Sequence, residues 1–354
     1  MKQGRTMERK RIREWMVVPG AYPPGKRNSI SDVEGVTVGH CTRIEGDGIR
    51  TGVTVISPHH RDPFRFRAPC ATVAGNAYGK LAGSQQIDEL GELESPIGLT
   101  NTLSIAAVMQ GLVNNHLKAA RPEAHLSVNV LVGETNDRYL NDISSCAVTP
   151  DHVEIALENL SADFEEGAVG AGTGTACFGY KGGIGTASRI VPGGRNAGDC
   201  DYRIGVLVQT NYGGALEVYG RPLPNGPGSM ETGTGGSCMI VVATDAPVDS
   251  RQLKRFGRRG IHALGRTGSY MAHGSGDFCI AFSTSNLRDI QWMGKRTVVL
   301  LNEESLSTFF AAVVEAVTEA LYNSMTMAKT TAGYRGRVLE GIDLNRFRDI
   351  LPLK

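Results

Sequence analysis

The sequence predicts an α+β fold in four layers, with helices outside and two sheets inside. Three observations carry this expectation. Short apolar runs rich in β-branched residues recur along the chain. Helical patterns stand between them, and the two do not alternate in the strict strand-helix order of a doubly wound parallel sheet. The 354 residues are ample for a buried core, and no internal repeat or long linker divides them. A single domain over 1–354 is expected.

The runs at 36–38, 53–56, 126–132, 204–209, 238–243, 278–283 and 297–301 read as strands. Each is short, apolar and bounded by turn formers. Four stretches read as helices. The first is 102–117; the second, 150–160, opens with Pro150-Asp151, a helix start signal. Asp249 or Ser250 caps a basic amphipathic helix running to 264. The fourth, 306–328, carries Phe309, Phe310, Val313, Val314, Val317 and Leu321, which make it apolar on nearly every side. Such a helix is expected to be buried. The stretch 222–236, rich in Gly, Pro, Thr and Ser, reads as an exposed connector.

Composition narrows the chemistry. The 37 basic and 36 acidic residues leave a formal charge of +1, so no global field favours nucleic acid or an anionic membrane. A small molecule is the expected ligand. Lys2, Arg5, Arg9, Lys10, Arg11 and Arg13 make the first fourteen residues locally basic, which reads as a frayed, solvated tail. No membrane-length apolar stretch and no secretory leader is read in the sequence, and a soluble cytoplasmic protein is expected. Seven cysteines are scattered and never spaced Cys-x-x-Cys, which argues against a disulfide framework or a zinc site. No metal or cofactor is expected. Glycine stands out: 45 residues against a usual share of about 7%, clustered in tight loops where backbone meets backbone or ligand.

One hydroxyl sits where a self-cleaving hydrolase keeps its nucleophile. Ser237 follows Gly235-Gly236 and precedes the apolar run 238–243. The glycines admit backbone angles closed to other residues, so Ser237 Oγ can approach and attack the Gly236 carbonyl. Hydrolysis of the resulting ester leaves Ser237 as a new amino terminus. Its α-amine, with a reference pKa of about 7.7 to 8, then serves as the base for its own hydroxyl. Other polar residues end or begin apolar strands. Asn211 follows 204–209 and is a candidate oxyanion donor. Ser275 and Asp277 precede 278–283 and, two apart in a strand, share one face, where they would hold an α-ammonium group. Glu134 and Tyr139 follow 126–132; the carboxylate would anchor a substrate ammonium and the phenol would supply a second oxyanion donor. Taken singly, each also fits a turn, a cap or an ordinary buried polar group. No phosphate loop, zinc helix or Gly-x-Ser-x-Gly elbow is present. Gly170-Ala171-Gly172-Thr173-Gly174 lacks the flanking strand and helix of a dinucleotide loop.

At these residues the chain resembles the DmpA-like self-cleaving aminopeptidases, which include L-aminopeptidase D-alanine esterase/amidases and β-peptidyl aminopeptidases. The resemblance is nearly full length. It runs through Ile30-Ser31-Asp32-Val33-Glu34-Gly35-Val36, Leu93-Glu94-Ser95-Pro96-Ile97 with Thr100-Asn101-Thr102, Gly170 to Gly174 with Lys181-Gly182-Gly183-Ile184, and Gly236-Ser237 onward to Ala243-Thr244-Asp245-Ala246-Pro247. It implies an αββα sandwich layered like the amino-terminal nucleophile hydrolases but connected differently. It also implies a precursor cut into 1–236 and 237–354, and a homo-oligomer of such heterodimers. By motif position Ser237 is the nucleophile, Asn211 the oxyanion donor and Ser275 the orienting hydroxyl, with Tyr139 and Glu134 at pocket positions. One departure stands out: Asp277 occupies a position that is usually Glu in the family and reaches one methylene less far. The implied activity is removal of amino-terminal residues from short peptides, amides or esters. Hydrolysis of synthetic oligoamides, acyl transfer to an amine, and non-enzymatic binding of a metabolite are the rival readings.

Overall fold

A computed structural model describes residues 8–119, 127–193, 200–228, 236–347 and 350–351. In chain order its principal strands are β1 (Thr37–Glu45), β2 (Ile49–Ser57), β3 (Phe66–Ala77), β4 (Leu81–Ala82), β5 (Ile97–Asn101), β6 (Leu131–Thr135), β7 (Ile184–Val191), β8 (Tyr202–Asn211), β9 (Gly236–Thr244) and β10 (Ser275–Ser283). The principal helices are α1 (Ile105–Ala119), α2 (Asp151–Glu158), α3 (Ser250–Gly265) and α4 (Leu306–Thr326). One sheet has the order β1-β2-β5-β6-β4 and the other β7-β8-β9-β10-β3, extended at β3 by short pieces. Neighbours are antiparallel except β5 with β6 and β9 with β10. Helices α1 and α2 cover the first sheet, and α3 and α4 the second. This is the four-layer α+β sandwich expected from the sequence.

Strand β9 shows why the core reads as an unbroken apolar run. Its alternate residues Met239, Val241 and Ala243 pack between the sheets with Leu99, Leu131, Leu207 and Ile280. Cys238, Ile240 and Val242 pack on the other face against Phe256, Phe309, Val313 and Leu321 of the helix layer. A strand covered on both sides has no polar face to show, and each buried aliphatic side chain contributes about 1.5–3 kcal/mol. Between the sheets, the Gln209 amide donates to Thr100 O (3.1 Å), Thr135 Oγ1 (2.8 Å) and Ala171 O (3.0 Å). These bonds lock the end of β8 across the sandwich.

Several sequence expectations change. The 126–132 strand begins at Leu131 and runs on to Thr135; the Asn129 and Leu131 N–H groups are taken by Glu94 Oε1 and Ser95 Oγ, which delays the ladder. Residue 126 lies outside the described residues. The 297–301 run forms no strand. It leaves Val298, Val299 and Leu300 exposed, because β-branched composition without a neighbouring strand supplies no ladder. The 102–117 helix starts only at Ile105, since Asn101 Oδ1 accepts the Leu103 N–H in a turn. The basic segment is docked from residue 8 onward: Arg9 donates to Ile342 O and Met325 O, both at 2.9 Å, and Arg13 forks onto Glu319, which also meets Arg189 at 2.7 Å. The segment Glu303–Thr326 is, by length and composition, apolar enough to cross a membrane, but most of it is buried against the second sheet, as a core helix is. Cys41, Cys70, Cys177, Cys238 and Cys279 are buried among apolar neighbours, while Cys146 and Cys200 are exposed.

Candidate active site

Three strand ends meet at the candidate nucleophile. Ser237 is the second residue of β9 and pairs with Asn211, the last residue of antiparallel β8. On its other side, parallel β10 sets Gly276 against Ser237, Ser275 against Gly236 and Asp277 against Cys238. Ser237 is 4% exposed and Asn211 5%. The Ser237 hydroxyl donates to the carbonyl oxygen of Gly236, the peptide it would cut. Gly236 has no left-handed φ, which corrects the reason expected for the glycine. A Cβ there would lie 2.9 Å from Tyr212 Cα and 3.1 Å from Tyr212 Cβ, so close packing of the chain just past Asn211 excludes a side chain.

A second pair of glycines brings Glu134 in. A Cβ on Gly276 would lie 2.6 Å from Gly79 Cα, 2.7 Å from Gly79 N and 3.4 Å from Ser237 Oγ. A Cβ on Gly79 would lie 3.0 Å from both Gly276 Cα and Glu134 Oε1. The two glycines pack backbone against backbone between the Glu134 carboxylate and the Ser237 hydroxyl, where side chains would collide. Glu134, 2% exposed, accepts the Lys80 N–H at 3.1 Å on Oε1 and the Thr102 hydroxyl on Oε2, with Lys80 Nζ 3.7 Å away. Gly276→Ala forces backbone apart. We expect a stability loss of about 1–3 kcal/mol in urea titration and about 100-fold lower kcat/KM from the displaced hydroxyl; unchanged values for both would refute the close-approach account.

Two loops fix the Asn211 amide. Oδ1 accepts the Ala176 N–H at 3.0 Å and Nδ2 donates to Asn136 O at 2.8 Å, which determines which end carries the donors and leaves the second Nδ2 hydrogen uncommitted in these bonds. Asn211 and Ser237, being directly paired, present their side chains to the same face. Tyr139 is half-buried, with the Arg337 guanidinium 5.2 Å from its ring centre. Among the described residues its hydroxyl makes no hydrogen bond.

Ser275 and Asp277 share a face as expected, but not the face of the nucleophile. Asp277 pairs with Cys238, whose side chain packs toward the helix layer, whereas Met239, on the Ser237 face, packs between the sheets. Asp277 therefore bears on the backbone of β9 from behind. Both its oxygens are buried without a hydrogen-bond partner among the described residues. Burial pushes its carboxyl up to about 6, against the pull of the Ser275 hydroxyl and the Cys238 N–H, which lie nearby. Among the described residues no cluster of His, Cys, Asp or Glu could hold a metal ion.

Sequence reasoning missed Gly79, Lys80 and Asn136, whose parts are played by bare backbone. It also gave Thr102 and Ala176 no role, although Thr102 lies within a motif of the resemblance.

Comparisons with known proteins identify the family and the fold. The model of peptidase family S58 matches residues 28–339. The chain is 36% identical to "Beta-peptidyl aminopeptidase BapA" of Sphingosinicella xenopeptidilytica, over 95% of this chain and 90% of that protein. Its fold is similar to the PH0078 protein of Pyrococcus horikoshii OT3, with a TM-score of 0.90, 40% identity and coverage of 96% and 98%. It is also similar to the L-aminopeptidase D-Ala-esterase/amidase of Ochrobactrum anthropi, with a TM-score of 0.88, 33% identity and coverage of 96% and 97%. That enzyme is described as a prototype of the serine aminopeptidases with a variant of the Ntn hydrolase fold. The chain thus belongs to peptidase family S58 and is a hydrolase of amino-terminal residues.

Proposed function

We propose that the chain matures by cutting its own 236–237 peptide bond and that Ser237, freed as an amino terminus, is then both nucleophile and base. The contact between the Ser237 hydroxyl and the Gly236 carbonyl, with Asn211 directly opposite, carries this reading. Oγ attacks the Gly236 carbonyl carbon and gives up its proton, which passes to the departing Ser237 nitrogen; Asn211 Nδ2 would donate to the tetrahedral oxyanion. Expulsion of the Ser237 nitrogen, which takes up a proton, leaves an ester on Oγ. Water hydrolyses the ester to a Gly236 carboxylate and a free hydroxyl. In turnover the α-amine takes the hydroxyl proton, Oγ attacks the substrate carbonyl, the protonated leaving amine departs, and water releases the acyl group.

The new α-ammonium would sit beside Ser275 and the orphaned Asp277, and the substrate's own ammonium would meet Glu134. Tyr139, by family position alone, is the second oxyanion donor. Such an enzyme would accept short peptides, amides or esters with a free amino-terminal α- or β-amino residue. It would act in the cytoplasm, without metal or cofactor, as a homo-oligomer of cut pairs.

Intact-mass spectrometry tests the first step: two chains, 1–236 and 237–354, are expected, and a single active chain overturns it. Glu134→Gln should raise KM about tenfold or more, as loss of a charged hydrogen-bond partner does, with a smaller change in kcat. A variant with unaltered KM for β-alanyl p-nitroanilide would remove Glu134 from the site.

A further inference from the structure

The most anomalous group outside the site is a fully buried lysine. Lys181 is 0% exposed, and its Nζ donates to three backbone carbonyls: Gly172 at 2.9 Å, Thr175 at 2.8 Å and Gly182 at 2.7 Å. Three donations require three hydrogens, so the geometry fits the ammonium; a neutral amine would turn a lone pair toward one of the oxygens. Lys181 pairs across a two-residue ladder with Ala176, whose N–H holds Asn211 Oδ1. The other side of Asn211 is held by Asn136 O, and the next residue, Asp137, is 1% exposed. Asp137 Oδ1 accepts from Asn141 at 3.0 Å and its Oδ2 has no partner among the described residues. The two loops touch: a Cβ on Gly174 would lie 3.0 Å from Asp137 Cβ. Asp137 and Lys181 attract one another, while burial pushes the carboxyl up and the ammonium down, each to about 7.

A buried charge is costly to retain, and apolar side chains of similar volume fill such space without that cost. What the lysine does here is gather the carbonyls of the segment that clamps Asn211. We propose that Lys181 is a positioning residue for the oxyanion donor: its ammonium, countered by Asp137, fixes the 172–182 segment so that the Ala176 N–H holds the Asn211 amide in line with Ser237. It touches neither substrate nor nucleophile. This role rests on Asn211 being the oxyanion donor.

A double-mutant cycle on kcat tests it, using β-alanyl p-nitroanilide and counting only cut, folded enzyme; where Asn211→Ala leaves too little cut enzyme, the same cycle is read on the rate of cutting at 236–237, which needs the same donor. Lys181→Met should lower kcat about 30-fold or more, within the range for a misplaced oxyanion donor, and leave KM within about threefold. In an Asn211→Ala background the same change should cost less than about threefold, because the donor it positions is gone. Asp137→Asn, nearly isosteric, should show the same non-additivity at smaller size, and it decides the matter if Lys181→Met does not fold. Losses that add in full, or that appear in KM, overturn the positioning role while leaving Asn211 as donor. An Asn211→Ala enzyme with wild-type kcat would bring down the oxyanion assignment and the role of Lys181 together.

Discussion

Ser237→Ala is expected to run as one uncut 354-residue band on a denaturing gel and to lose activity by at least about 10⁴-fold, the scale seen when a nucleophile is removed from a hydrolase. The effect should be almost purely chemical. The hydroxyl's only bond among the described residues is to the carbonyl of its own neighbour, and losing such a bond costs about 1 kcal/mol. For a chain of this size that shifts the melting temperature by no more than about 2–4 °C. The strand itself does not depend on the hydroxyl, because Met239 through Ala243 bury it on both faces. Ser237→Ala is therefore expected to be folded, uncut and inert. Two outcomes would sink the proposal: a variant that is still cut at 236–237, or an uncut wild type with full activity.

How much of this was legible beforehand depended on whether side chains or backbone did the work. Apolar runs at 204–209, 238–243 and 278–283 foretold β8, β9 and β10, because a strand buried on both faces has a continuous signature. Strand β7 escaped notice: Gly182, Gly183 and Gly185 at its start read as loop, whereas they let Gly167, Thr210 and Ala320 backbones press close. The 297–301 run misled for the opposite reason, having strand composition but no partner. At the candidate site, Ser237, Asn211, Ser275 and Asp277 were singled out because polar residues at strand ends stand out. Gly79 and Gly276 were not, since their contribution is the absence of a Cβ. Lys181 was seen only as part of a motif; nothing in its spacing says that its ammonium will be walled in by carbonyls.

Asp277 gives the second large effect, and its sign follows from the missing partner. In the continuous chain, burial raises the carboxyl from its ordinary value of 3.8 to about 6. Between those values the folded precursor holds a proton that the unfolded chain has released, so stability falls as pH rises through that window. A shift of about two units corresponds to about 3 kcal/mol. The penalty is absent below the unfolded pKa and complete above the folded one. Cleavage would create an α-ammonium on the adjacent strand, a counter-charge within reach of the carboxylate, and this favours the charged form. Urea unfolding of Ser237→Ala, locked as the precursor, should therefore lose about 2 kcal/mol more between pH 4 and pH 7 than the cut wild type at the same protein concentration. Groups common to both forms, such as Asp137, cancel in that difference. Asp277→Asn in the precursor should abolish the extra loss, since the amide does not titrate. Equal pH slopes for the cut and uncut proteins would mean that the new amino terminus lies out of reach of Asp277, and that the shorter acid does not take up the counter-ion role here.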